Sequence, residues 1–373
     1  MDDDEEDENE VNFELLRDEH GRYPVDIARI ISSANPEKKA VLTEVGVMVI
    51  EHRQYEEAWL WLKEVLQESD TGLEATAGLF YGVSGVGKST LLRNFVYKFG
   101  QSYPTEAGMK RAVVRVSTPA NPTLPNVYKA MVRALGAEES LSNDADDLRS
   151  VVLAQLKGQD IKLVIFDEFT HVVEDRSDKY AIKVVRALKE LLSEKRCQVV
   201  FAGTEDLEKI HRNYGQFQRR SGGDFQFYPF DWDDDDDSDE SDDKLEWKEM
   251  MDTLQEKLPI KCASPLGSQE MFVKMHQATD GIMDHVMKLL FRATSFAFDE
   301  GKGTISDKNL ATAFERLRRG NRKKVNPFGK PAGRVAGIRV SKFKGGTPPP
   351  PDDEDGLTNL RANGKGPKPD FRK

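Results

Sequence analysis

Apolar residues recur every three to four positions over two early stretches, Lys38 to Glu51 and Tyr55 to Glu68, and this spacing predicts two helices. In the second, Trp59, Leu62, Val65 and Leu66 share one face, which suits core packing. Trp61 lies off that stripe and is the better candidate for an exposed contact. From residue 76 the pattern changes. Short apolar runs at 76–81, 111–117, 161–167, 198–203 and 224–230 read as strands, and stretches at 88–99, 124–135, 146–157, 178–195 and 205–213 read as helices. Strands alternating with helices predict an α/β fold with a parallel five-stranded sheet covered on both faces. Beyond residue 243 only helical patterns remain, at 244–257, 268–279, 282–298 and 306–319, which predicts a small helical domain.

Charge divides the chain further. The net charge is −11, yet residues 2–10 hold eight carboxylates and residues 231–243 hold ten. Without them, 54 cations face 47 carboxylates and the body is mildly basic at +7. Between Arg316 and Lys344 there are 11 Lys or Arg and no Asp or Glu. The expected plan is therefore an acidic terminus at 1–20, N-terminal helices at 21–70, an α/β domain at 71–230, an acidic loop insertion at 231–243, a helical domain at 244–320 and a basic tail rich in Pro and Gly at 321–373. The acidic run reads as a solvated loop or as a mimic of DNA that competes for a basic surface. The absence of any apolar run of 18 residues and the acidic start predict a cytoplasmic protein that does not span a membrane. Cys197 and Cys262 have no metal-ligand spacing and are expected as free thiols.

The chemistry concentrates at Gly82-Val83-Ser84-Gly85-Val86-Gly87-Lys88-Ser89, which fits G-x-x-x-x-G-K-[ST] and is followed by Thr90. It joins a predicted strand to a predicted helix, the context a phosphate-binding loop requires. Its glycines let backbone N–H groups close around phosphate oxygens at a helix N-terminus. Lys88 is expected at the β- and γ-phosphates and the Ser89 hydroxyl at Mg²⁺. A second apolar strand, Lys162 to Phe166, ends in Asp167 and Glu168. Acids at the carboxyl end of such a strand face the nucleotide crevice, with Asp167 on the Mg²⁺ side and Glu168 as general base for the attacking water. A third strand ends at Gly203-Thr204, where Thr204 is expected to sense the γ-phosphate or orient the water. Arg219 and Arg220 lie shortly beyond, where an arginine is placed to complete a neighbouring subunit's site.

These elements, in this order, resemble the AAA+ P-loop ATPases, with a helical lid domain after the sheet. Asp167-Glu168-Phe169-Thr170-His171 is similar to the D-E-F-x-H segment of the TniB/TnsC group, ATPase regulators of DNA transposition. So are Gly203-Thr204, the stretch 216–220, Tyr228-Pro229-Phe230-Asp231-Trp232, Leu258-Pro259-Ile260 and Thr279-Asp280-Gly281-Ile282, and the resemblance spans roughly residues 40–320. It implies ATP and Mg²⁺ as ligands, and a homo-oligomer, ring or helical filament, assembled on double-stranded DNA. It further implies recruitment of a transposase, partnership with a target-selection protein, and disassembly on hydrolysis. Thr118, Lys129 and Arg133 are then the candidate DNA contacts. Ser221 stands where the group has Phe, and the start of the lid helix at 281–286 lacks the arginine many AAA+ proteins place there, Lys288 being the nearest cation. Slow, switch-like hydrolysis is the consequence expected. Two other readings compete, a helicase loader or replication initiator and a nucleotide-stabilised scaffold with negligible turnover.

Overall fold

A computed structural model describes residues 35–69, 75–137, 144–174, 178–195, 197–213, 223–230, 242–318 and 325–329. The chain divides into two units, 1–332 and 333–373, and every described residue lies in the first. In chain order the elements are α1 Pro36–Val47, α2 Arg53–Glu68, β1 Ala77–Gly82, α3 Lys88–Phe99, β2 Tyr103–Thr105, β3 Gly108–Lys110, β4 Val113–Ser117, α4 Leu124–Ala134, α5 Ala145–Gly158 and β5 Leu163–Asp167. They continue with α6 Thr170–Glu174, α7 Asp178–Lys195, β6 Gln198–Gly203, a 3₁₀ turn Glu205–Leu207, α8 Glu208–Asn213 and β7 Phe225–Phe227. The helical end of the chain holds α9 Asp242–Lys257, β8 Lys261–Cys262, α10 Gln269–Thr279, α11 Met283–Asp299, β9 Thr304–Ile305 and α12 Asp307–Leu317.

Five strands form one sheet in the order β4-β5-β6-β1-β7, each adjacent pair parallel. Every residue of β5 and β6 is buried, as expected for strands covered on both faces. Alternate side chains go to opposite cores. Val164, Phe166, Val199 and Phe201 join the cluster built with α4, α5 and α7, whereas Leu163, Ile165, Val200 and Ala202 join the cluster under α2 and α3. Phe169, just past β5, lies 4.2 Å from Phe201 between ring centroids, so the turn that carries the candidate acids rests on a packed aromatic floor.

The helix boundaries follow their caps. α1 begins before Lys38 because the Asn35 side chain accepts from the backbone N–H of Glu37 and Pro36 occupies the first turn. It stops at Val47, where Met48 is extended. α12 carries a capping box: Ser306 Oγ accepts from Asn309 N–H, and Asn309 Oδ1 accepts from the Ser306 N–H at 2.9 Å. A Ser306→Ala variant is expected to lose about 1 kcal/mol of stability, read as an earlier urea midpoint at unchanged slope.

Three features depart from the pattern reading. Trp61 is packed rather than exposed: its ring lies 6.0 Å from Phe80 and 6.0 Å from Phe225, over Gly78, where a Cβ would come within 2.9 Å of the indole. The cause is β7, which extends the sheet under the flank of α2; Leu60 is the residue left outside. Helix α1 packs with α11, and Val45 and Ile50 belong to the same cluster as the lid residues Trp247, Met275 and Leu290. The helical domain also contains a two-residue parallel pair, β8 and β9, too short to leave a period. Within the lid, Trp247 donates from Nε1 to the Phe272 carbonyl at 2.9 Å and packs against Phe230 and His276. Both cysteines are buried and neither is in a disulfide, and burial pushes the Cys262 thiol up to about 12. No helix among the described residues is long and apolar enough to cross a membrane.

Candidate nucleotide site

The sheet order brings the chemistry together. β6 lies between β1 and β5, so the carboxyl ends of these three strands deliver residues 82–89, Asp167-Glu168 and Thr204 to one edge. The loop after β1 is anchored by Val86, 3 % exposed in the core under α2, while Ser84 stands out at the tip. Gly87 sits at φ +119 directly before α3, a left-handed position that favours glycine, and its carbonyl accepts from the N–H groups of Thr90 and Leu91 at 3.0 Å. The loop therefore opens onto the N-terminus of a 12-residue helix, where free N–H groups and the helix dipole favour an anion.

Lys88 is folded back on its own loop. It is 8 % exposed, and Nζ donates to the Gly82 and Val83 carbonyls at 2.8 Å each. Burial pushes its ammonium down to about 8, an effect partly offset by the negative charges of Asp167 and Glu205. Glu205 is shifted upward by burial and by Glu208, with Lys88 acting against that shift.

Asp167 is 3 % exposed and fully engaged. Its Oδ1 accepts from the Glu168 backbone N–H at 2.9 Å and from Ser89 Oγ at 3.4 Å. Its Oδ2 accepts from Arg115 Nε at 3.0 Å and Nη2 at 2.6 Å. Hydroxyl and carboxylate oxygens side by side are the hard donors that Mg²⁺ takes, so this pair fits the ion expected from the sequence. Glu168 is exposed, at φ +57, a left-handed conformation costly for a residue with a Cβ. That turn sends the Asp167 side chain back toward Ser89 and leaves the Glu168 carboxylate facing outward. Thr204 is tied to the same turn: its N–H donates to Thr170 Oγ1 at 2.7 Å, and its hydroxyl to Asp206 at 3.4 Å. Gly203 permits this approach, since a Cβ there would lie 2.2 Å from Thr170 Oγ1.

The lid touches the loop. The Asp284 N–H donates to the Gly85 carbonyl at 2.9 Å, and a Cβ on Gly85 would meet Ile282 and Asp284 at 3.0 and 3.1 Å. Lys288 is held by Asp284 at 2.6 Å on the exposed side of α11.

Other expected site residues fare differently. Thr118, expected as a DNA contact, is 3 % exposed, and its N–H donates to the Asp167 carbonyl. Lys129 is half-buried and Arg133 exposed; four residues apart on α4, they share a face. Arg219, Arg220 and the acidic run up to residue 241 lie outside the described residues. Arg115, Thr170 and Asp284 were missed from the sequence. Only Arg115 left a signal there, a lone cation inside the apolar strand Val113-Val114-Arg115-Val116.

Residues 47–224 match the family model of the bacterial TniB protein. Among curated proteins, none matches this chain in sequence. Solved structures do match in fold. The chain is similar to the ORC1 protein of Aeropyrum pernix in complex with DNA, at 15% identity and a TM-score of 0.53, covering 73% of this chain and 67% of that one. It is similar to the Aeropyrum pernix ORC2 protein in its ADPNP-ADP complexes, at 15% identity and a TM-score of 0.52, over 72% and 69% of the two chains. Cdc6p from Pyrobaculum aerophilum follows at 14% and 0.51, over 72% and 68%. The parallel sheet with its helical lid has the AAA+ fold, and the residues that match the TniB family model are those that carry the phosphate loop and the acid-tipped strand.

Proposed function

We propose that this chain is an ATP-driven assembly switch on DNA that regulates transposition in the cytoplasm. ATP held at residues 82–90 favours a homo-oligomer, ring or filament, on double-stranded DNA. The assembly recruits a transposase at a site chosen by a target-selection protein, and hydrolysis dismantles it. The observation that carries the reading is the meeting of Lys88, Ser89, Asp167, Glu168 and Thr204 at the carboxyl ends of three adjacent strands. The match to the TniB family over residues 47–224 supports the DNA transaction.

In this reading Lys88 exchanges two backbone carbonyls for phosphate oxygens, whose negative charge favours its ammonium against the burial that lowers its pKa. Ser89 and Asp167 would hold Mg²⁺, which would offset negative charge on the nucleotide's phosphates. Glu168 takes the proton of the attacking water, and Thr204 orients that water from the end of β6. Arg219 or Arg220 acts on the neighbouring subunit's site. Asp284, bonded to Gly85, carries occupancy of the loop to the lid.

Duplex binding is expected to require ATP and to weaken steeply with salt, each phosphate contact adding about −0.9 to the slope of log K against log salt. Alanine at Lys129 and Arg133 should flatten that slope without changing sequence preference, because backbone contacts position a protein without reading bases. Fluorescence anisotropy with labelled duplexes, and electron microscopy with ATP and DNA, test this. Equal binding with and without nucleotide would sink the switch.

A further inference from the structure

The carboxylate that is to receive the metal is already paired with a cation from its own sheet. In the β4–β5 register Ser117 stands opposite Asp167, and Arg115, two residues earlier, points to the same face. Its guanidinium runs along that face and donates twice to Asp167 Oδ2. The carboxylate is enclosed at 4 % exposed, and the guanidinium is half-buried at 27 %. An arginine in the middle of an apolar strand is expensive unless paired, and a buried carboxylate equally so. Each accounts for the other.

The two carboxylate oxygens are divided. Oδ1 faces Ser89, where a divalent ion fits, and Oδ2 faces Arg115. A guanidinium on one oxygen lowers the attraction of the other for a second cation. Among the described residues no group of three or more His, Cys, Asp or Glu is placed to hold a metal ion, so an ion at Ser89 and Asp167 needs further oxygens from elsewhere. Phosphates supply them, together with the negative charge that offsets Arg115.

We propose that Arg115 is the resident counter-cation of the metal carboxylate. It holds Asp167 in place when no metal is bound, rejects a divalent ion arriving alone, and makes metal entry depend on the charge that a nucleotide's phosphates bring. The proposal rests on residues 82–89 being a nucleotide site. Arg115 touches Asp167 and no reacting atom, so it is a positioning residue. The benefit is a switch that senses nucleotide rather than free Mg²⁺.

The test uses the full chain without nucleotide and Mn²⁺ as the probe, with free Mn²⁺ read by electron paramagnetic resonance. Arg115→Gln and Arg115→Met remove the charge, and Arg115→Lys keeps it. The neutral variants are expected to bind Mn²⁺ at least about tenfold more tightly than the wild type, and the Lys variant to stay near it. Binding of a fluorescent ATP analogue in EDTA should be similar in all four proteins. Equal Mn²⁺ affinity in wild type and in a folded neutral variant overturns the proposal. So does failure of both neutral variants to fold while Arg115→Lys folds, since Arg115 would then only brace the strand. If the wild type binds no ATP analogue, with or without Mg²⁺, the nucleotide reading fails instead, whatever the Mn²⁺ titrations give.

Discussion

A Glu168→Gln variant is expected to hydrolyse ATP about 10²- to 10⁴-fold more slowly than the wild type, the range associated with losing a general base. Its ATP affinity should barely change. The side chain takes no part in the contacts that hold the site together: Asp167 is engaged by Arg115, Ser89 and the Glu168 backbone N–H, all of which survive the substitution. Glutamine keeps the size and the φ of +57, so the turn after β5 stays as it is. Only proton acceptance is lost. Single-turnover hydrolysis and the lifetime of ATP-dependent DNA complexes check the outcome together. A switch locks on DNA when its base is removed. A scaffold with negligible turnover shows the same lifetime as the wild type, and unchanged hydrolysis would place the base elsewhere.

Much of this site is legible in the sequence because its signals are local. A phosphate loop needs glycines at fixed spacing between a strand and a helix, and the acids need an apolar strand directly before them; both are read within ten residues. The alternation of strands and helices likewise predicts the parallel sheet, although not its order. What stays hidden depends on partners far apart in the chain. Arg115 and Asp167 are brought together only by the β4–β5 register. Thr170 gains its role because β6 ends beside it and delivers the Thr204 N–H. Trp61 fails as an exposed residue because β7, from residues 225–227, slides under α2. Thr118 reads as a polar residue after a strand, yet the loop folds it inward against β5. In each case the sequence carries the residue type and the sheet decides its surroundings.

The sheet decides most severely at Gly82, and Gly82→Ala is expected to destabilise the protein by about 2 to 6 kcal/mol, combining the cost of a disfavoured backbone conformation with that of overpacking. Gly82 is the last residue of β1 and pairs with Phe227 on β7. At its φ of +156 a Cβ would stand 1.9 Å from the Phe227 carbonyl oxygen and 2.9 Å from its carbonyl carbon. Both are backbone atoms of a buried residue whose ring packs against Phe80 at 5.9 Å and His52 at 5.6 Å, so no side-chain rotation relieves the clash. Either β7 detaches or the loop lifts, and the Gly82 carbonyl that holds Lys88 moves with it. ATP affinity should therefore fall together with the urea midpoint. Gly108→Ala is the control: at φ +102 it carries a similar backbone penalty, but nothing lies within 4 Å of its Cβ, in a short exposed hairpin. The difference between the two variants measures the clash. A Gly82→Ala protein that unfolds and binds ATP as the Gly108→Ala protein does would show that β7 yields freely and does not set the geometry of the phosphate loop.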